Sequence, residues 1–214
     1  MGDSPVPCST LAPMKIEDVE ALRVLYAMPN DRALRKEITI LDEHCRAFIA
    51  LSPFLVMATS DASDNMDASP RGGSPGFVKV DAEGVLLIPD APGNNRLDSL
   101  ENIVATGKVG LLFLIPGIDE TLRINGSATL SLAEQDIALC TDERRAPKVV
   151  IKVEVAATYL HCAKALMRSQ LWDAASQVER SVLPTMGKMI SDQSGLTAPE
   201  ETCEQMAARY APDL

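Results

Sequence analysis

The sequence predicts a mainly β protein with flanking helices, its strands closing into a split or partly closed antiparallel barrel of about six strands. Three observations predict it. Short runs of Val, Ile and Leu recur between residues 54 and 159, turn residues punctuate them, and helical periodicity dominates the two ends. Strands do not alternate regularly with crossover helices, which argues against a long parallel sheet.

Residues 1–13, rich in Pro and Ser, read as a loose arm. Residues 16–28 and 34–51 carry apolar side chains at helical spacing; in the second, Ile38, Leu41, Cys45, Phe48 and Ile49 fall on one face. Pro53 stops that pattern. Candidate strands then follow at 54–59, 67–70, 76–80, 85–89, 109–115, 121–132 and 149–159. Turn signals separate them, at residues 60–65, 81–84 and Pro116-Gly117. Along 121–132, Leu122, Ile124, Gly126, Ala128 and Leu130 alternate with Arg123, Asn125, Ser127 and Thr129, which predicts one buried and one polar face.

Two helices interrupt the strands. Residues 96–106 place Leu97, Leu100, Ile103 and Val104 on one side, with Asn95 at the N-cap and Asp98 three residues on. Residues 133–140 form a shorter one, and 163–172, 177–192 (with Pro184 inside) and 199–210 read as helices after the barrel. The expected division is an N-terminal arm and helices over 1–52 packing on the barrel, the barrel over 53–160, and a C-terminal helical segment over 161–214.

Composition narrows the function. Lys plus Arg is 20 and Asp plus Glu is 30, a formal charge of −10, which disfavours nucleic acid and anionic membrane as partners. Apolar runs fall short of the roughly 20 residues a membrane helix needs. The N-terminus lacks a secretory pattern, and Val6 breaks the myristoylation motif. Five scattered cysteines without a C-x-x-C pair suit free thiols in a reducing compartment, so a cytoplasmic protein is expected. His44-Cys45 and His161-Cys162 lack zinc-site spacing, and no metal is expected; Cys45 and Cys162 read as small buried hydrophobes. There is neither a G-x-G-x-x-G after a strand nor a P-loop.

Against this acidic background three phrases stand out: SPRGGSPGFVKV (69–80), PDAPGNNRLDSLENI (89–103) and DETLRINGSATL (119–130). Each sets Arg, Lys, Ser or Asn beside backbone that Gly and Pro force to turn. The three Gly and two Pro of residues 69–76 predict a loop there, whose amides and Arg71 fork can approach a ligand. A cation at a helix start, where the dipole favours acids, makes sense when an anion sits between it and the helix N–H groups. Arg71, Lys79, Arg96 and Arg123 therefore point to a phosphorylated cofactor.

The order of these phrases, with GLLFLIPG (110–117) between the last two, resembles the pyridoxamine 5′-phosphate oxidase-like flavoprotein superfamily, and more narrowly a bacterial subfamily of FMN-binding split-barrel proteins. The resemblance covers roughly residues 54–159, and HCAKALMRSQLW (161–172) is similar to that subfamily's C-terminal segment. It implies a split-barrel homodimer with FMN bound across the interface. By position, Arg71 and Lys79 match the basic residues under the FMN phosphate and ribityl chain, and Asn95 and Arg96 the phosphate-holding helix start. Pro89 and Asp90 match the strand end beside the flavin, and Ser69 and Ser99 are further candidates. Arg123 matches a strand that reaches the flavin from the partner subunit, and Trp172 a C-terminal aromatic near the ring.

The oxidase's own Arg-x-Val-Leu-Leu-Lys phrase is replaced here by the Gly/Pro-rich segment, and its substrate-gripping C-terminal Arg and His are not recognisable. Vitamin B6 oxidation is therefore not implied. The resemblance implies an FMN-dependent oxidoreductase passing hydride or electrons to a small-molecule acceptor; the alternative is a non-catalytic flavin- or haem-binding, redox-sensing module of the same fold. No catalytic acid or base is assigned, since flavin itself carries the redox chemistry.

Overall fold

The computed structural model describes residues 15–142, 145–197 and 201–213. The arm read at residues 1–13, with Cys8, and Pro199 of the last expected helix lie outside them. The chain divides into two units, Met1–Lys36 and Glu37–Leu214.

The first unit holds α1 (Val19–Leu25) and α2 (Asp31–Arg35), both without a buried residue. Their starts are chemical: the Asp18 carboxylate accepts from the Ala21 amide, and the Asn30 side chain from that of Ala33.

The second unit begins with α3 (Glu43–Leu51), where the Asp42 carboxylate accepts from the Cys45 amide at 2.8 Å. The single helix expected over 34–51 is thus broken. Ile38 instead exchanges two backbone hydrogen bonds with Thr158, at 3.0 and 2.8 Å, because strand pairing satisfies its amide and carbonyl together. Leu41, Cys45 and Ile49 are buried all the same, Leu41 from the segment ahead of the helix.

Seven strands follow: β1 (Phe54–Ser60), β2 (Met66–Gly72), β3 (Lys79–Val80), β4 (Leu86–Pro89), β5 (Lys108–Leu114), β6 (Thr121–Ser131) and β7 (Val150–His161). They form one curled, wholly antiparallel sheet in the order β2-β1-β5-β6-β7-β4-β3, with flanking helices, as a split barrel requires. Alternation sorts the faces. Leu55 and Met57 of β1, Leu111 and Phe113 of β5, and Leu122 and Ile124 of β6 are at most 2% exposed and meet in one core. Ile103 of α4 (Asp98–Thr106) joins the same core. The β6–β7 register slips between Asn125 and Gly126, and the bulge brings the Gly126 Cα so close to β7 that a Cβ there would lie 2.0 Å from the Glu154 carbonyl oxygen.

Two strand boundaries differ from expectation. The SPRG segment is not a loop: Ser69, Pro70, Arg71 and Gly72 pair in register with Met57, Val56, Leu55 and Phe54. Pro70 is tolerated because β2 stands at the end of the sheet order, where a missing N–H breaks no second ladder. The chain turns only afterwards, through Gly76 at φ 75°, so the expected strand over 76–80 shrinks to Lys79–Val80.

Among the helices, α5 (Glu134–Cys140) and α6 (Lys164–Ser169) lie where expected. The helix expected over 177–192 is split into a 3₁₀ turn at Arg180–Val182 and α7 (Met186–Ser194), because Pro184 cannot sit inside a helix. The last helix, α8, runs Cys203–Tyr210. Cys45 is buried as expected, but Cys162 is exposed, just beyond the end of β7.

Candidate functional site

Sheet curvature brings β2 against the segment leaving β4. Arg71 projects from β2, and its Nη1 lies 3.4 Å from Oδ1 of Asp90, one residue past β4. Both side chains are 18% exposed. The Arg71 Nε is buried and has no hydrogen-bond partner among the described residues. An unfilled donor on a buried guanidinium is costly unless an acceptor arrives.

This pair forms one wall of an open cavity of about 950 Å³, near the top of the roughly 300–1,000 Å³ typical of small-molecule sites. Ser69 and Pro89 stand beside the pair. The opposite wall is the 92–98 loop and the start of α4, where Asn95, Arg96 and Ser99 line the cavity. The third wall is the connection from α5 to β7, with Arg145, Pro147 and Lys148.

The loop wall owes its shape to unusual backbone. Asn95 and Leu97 both have φ near 60°, a left-handed geometry that Asn accepts readily and Leu does not. Asn95 is therefore not the cap that its position suggests. Leu97 occupies the N-cap, without a side-chain cap, and the helix begins at Asp98 rather than at Arg96. It is the Asn94 side chain that accepts from the Arg96 amide, at 3.0 Å. Arg96 itself is largely exposed and donates from Nε to Asp98 at 2.8 Å. The first turn of α4, which no N-cap side chain caps, lines the cavity, a setting that favours an anion.

The carboxylates are all engaged. The Ser99 hydroxyl donates to Asp67 at 2.7 Å, Asp98 holds Arg96, and Asp90 meets Arg71. Burial pushes the Asp90 carboxyl above its ordinary pKa, while the charges of Arg71 and Lys148 pull it back. The chemistry of this donor set fits a phosphate monoester with a planar organic body: guanidinium and amide donors on two walls, with apolar Phe77 and Leu100 between.

Seven of the ten predicted residues thus share one cavity: Ser69, Arg71, Pro89, Asp90 on one side, Asn95, Arg96 and Ser99 on the other. Three do not line it. Lys79 donates from Nζ to the Gly76 carbonyl at 2.8 Å. Arg123 bonds Asn125 at 3.2 Å and stacks over the Tyr159 ring on β7. Trp172 donates from Nε1 to the Ile118 carbonyl at 3.0 Å. Sequence reasoning missed Arg145 and Lys148. Their phrase, RRAPKVV (144–150), carried a signal in its paired cations and Pro, but no motif marked it as facing the other three.

A curled antiparallel sheet with flanking helices, and a polar cavity where β2 meets the segment after β4, defines a split barrel. A family model for pyridoxamine 5′-phosphate oxidase matches residues 41–162, more than half of the chain, and the chain belongs to that family. No curated protein matches it. Among solved structures it is similar to HupZ of Group A Streptococcus, at 15% identity and TM-score 0.47, over 56% of this chain and 94% of that one. A putative pyridoxamine 5′-phosphate oxidase of Lactobacillus delbrueckii is similar at 18% identity and TM-score 0.44, over 57% and 95%. So is an FAD-binding protein of Mycobacterium smegmatis, at 14% identity and TM-score 0.38, over 57% and 97%.

Proposed function

We propose that the cavity binds FMN and that the protein is a flavin-dependent oxidoreductase acting on a small-molecule acceptor. The observation that carries this reading is Arg71, whose buried Nε lacks an acceptor among the described residues and which shares its cavity with three further cations, Arg96, Arg145 and Lys148. Membership of a family described by a phosphate-bearing amine's oxidase supports it. When bound, the flavin supplies hydride and one-electron chemistry. The chain's own residues bind and orient: Arg71, Asn95 and Arg96 hold the phosphate, Pro89 and Asp90 border the ring system, and Ser69 and Ser99 complete the polar lining. Lys79 meets the ribityl chain only after its ammonium leaves the Gly76 carbonyl.

The same reading makes the active form a homodimer. Arg123, outside its own subunit's cavity, then reaches the flavin of the partner, and Trp172 closes the site from the C-terminal segment. Freshly purified protein is expected to be yellow and to release FMN, identified by mass spectrometry. Arg96→Glu is expected to lose it. A colourless protein whose wild-type form fails to quench FMN fluorescence overturns the proposal.

One observation favours a second reading, a non-catalytic flavin- or haem-binding module. The three carboxylates lining the cavity are each held by an Arg or a Ser hydroxyl, which leaves no unengaged carboxylate there among the described residues. Bound flavin that NAD(P)H does not reduce, and that a panel of acceptors does not re-oxidise, decides for the module.

A further inference from the structure

We infer that Lys148 is a positioning residue of the anion site, offsetting the Asp90 charge so that the cavity wall around Arg71 keeps a net positive charge for the ligand. The inference rests on the flavin reading above.

Backbone register brings the two residues together. The antiparallel β4–β7 ladder runs from Leu86↔Val153 to Pro89↔Val150, and the Asp90 amide continues it with a 3.0 Å bond to the Val149 carbonyl. Lys148 follows at once in a connection whose Pro147 is buried and whose Lys148 is exposed along the cavity wall. The fixed ladder thus places Lys148 on the cavity wall, close enough for its charge to act on the carboxylate that Arg71 meets from the far end of the sheet.

Charge then decides the role. Arg71 and Asp90 alone cancel, and so do Arg96 and Asp98. Among the described residues, four cations and three carboxylates line the cavity, a surplus of one positive charge in a protein of formal charge −10. Deleting the Lys148 charge brings the wall to neutrality. A dianionic monoester then meets a site that no longer attracts it at a distance. Exposure of Lys148 also makes its removal a mild test of folding.

The test titrates wild type, Lys148→Met and Lys148→Arg, stripped of ligand, with FMN, with riboflavin and with inorganic phosphate, at low and high salt. Lys148→Met is expected to bind FMN about tenfold more weakly at low salt, with the gap narrowing as salt screens the field. Riboflavin, which lacks the phosphate, is expected to bind both proteins alike, and Lys148→Arg to restore FMN affinity. A structural role alone gives neither the salt dependence nor the riboflavin contrast. Lys148→Met that binds FMN as tightly as wild type overturns the inference, as does equal loss of FMN and riboflavin. Should Lys148→Met fail to fold, Lys148→Gln takes its place under the same criteria. Wild type that binds no flavin overturns the proposed function instead; phosphate then carries the inference alone, and equal phosphate binding by wild type and Lys148→Met ends it.

Discussion

Arg71 and Asp90 touch at 3.4 Å although four strands, β1, β5, β6 and β7, separate β2 from β4 in the sheet. Their contact is where the two ends of the curled sheet come together, so one guanidinium both helps to close the barrel and faces the candidate ligand. Barrel closure and the proposed ligand site therefore meet at this residue.

That coupling predicts two separable losses in Arg71→Met. Without the guanidinium the buried Asp90 keeps only the charge of Lys148 beside it. Stability is expected to fall by about 1–3 kcal/mol, the cost of leaving a buried polar group without its partner. FMN affinity is expected to fall roughly 10- to 150-fold, the worth of one charge-assisted bond of about 1.5–3 kcal/mol. Denaturant melts and a flavin titration read the two effects. A stability loss with unchanged flavin affinity shows that Arg71 serves closure alone.

The bulge in β6 offers a test of the fold itself. A Cβ at Gly126 meets the Glu154 carbonyl oxygen at 2.0 Å, and a backbone atom cannot rotate away. Gly126→Ala is expected to cost about 1–3 kcal/mol, as overpacking does. Gly110→Ala in the neighbouring strand is the control, since its Cβ meets the Asn125 side chain at an ordinary 3.4 Å. Equal melting of the two variants shows that the β6–β7 slip is misplaced.

Much of this barrel was legible because strands announce themselves by period. Leu122, Ile124 and Ala128 alternate with polar neighbours in sequence and are buried in space. What misled was local chemistry overridden by pairing. Gly and Pro in SPRG argued for a loop, yet an end strand of the sheet tolerates both, and β1 holds the segment straight. Helical spacing across 34–51 hid the break at Ile38, since its partner Thr158 lies far along the chain. The site was half visible for the same reason. Turn residues and cations mark the walls at Arg71 and Arg96, whereas Lys148 gains its meaning only from the register that sets it beside Asp90.

Acid stability is expected to depend on Asp136, buried on α5. The Ser131 hydroxyl donates to it at 2.6 Å and the Lys152 ammonium lies 3.1 Å away. The Ser131 bond, with smaller help from Lys152, holds its pKa below the ordinary 3.8 against the opposing effect of burial. A depressed carboxylate stabilises the fold above its unfolded value and loses that contribution as pH falls through the folded one. Asp136→Asn is therefore expected to lose about 1–2 kcal/mol at neutral pH and to show a shallower decline of stability below pH about 4. Parallel acid limbs in the two proteins contradict the assignment.

The thiols probe the element that carries the Lys148 connection. Cys140 ends α5 and packs with Leu87 and Val150, its Sγ 3.8 Å from the Leu87 carbonyl, so α5 is docked on β4 through this side chain. Burial pushes its pKa up to about 11, and little thiolate forms at neutral pH. Cys45 is likewise buried, and burial raises its pKa, whereas Cys162 and Cys203 are exposed. Iodoacetamide followed by peptide mapping is expected to label Cys162 and Cys203 in the native protein, and Cys45 and Cys140 only as denaturant opens the core. Labelling of Cys140 at the rate of Cys203 means that α5 is not seated on β4. The following connection then loses its anchor, and Lys148 its fixed place beside Asp90.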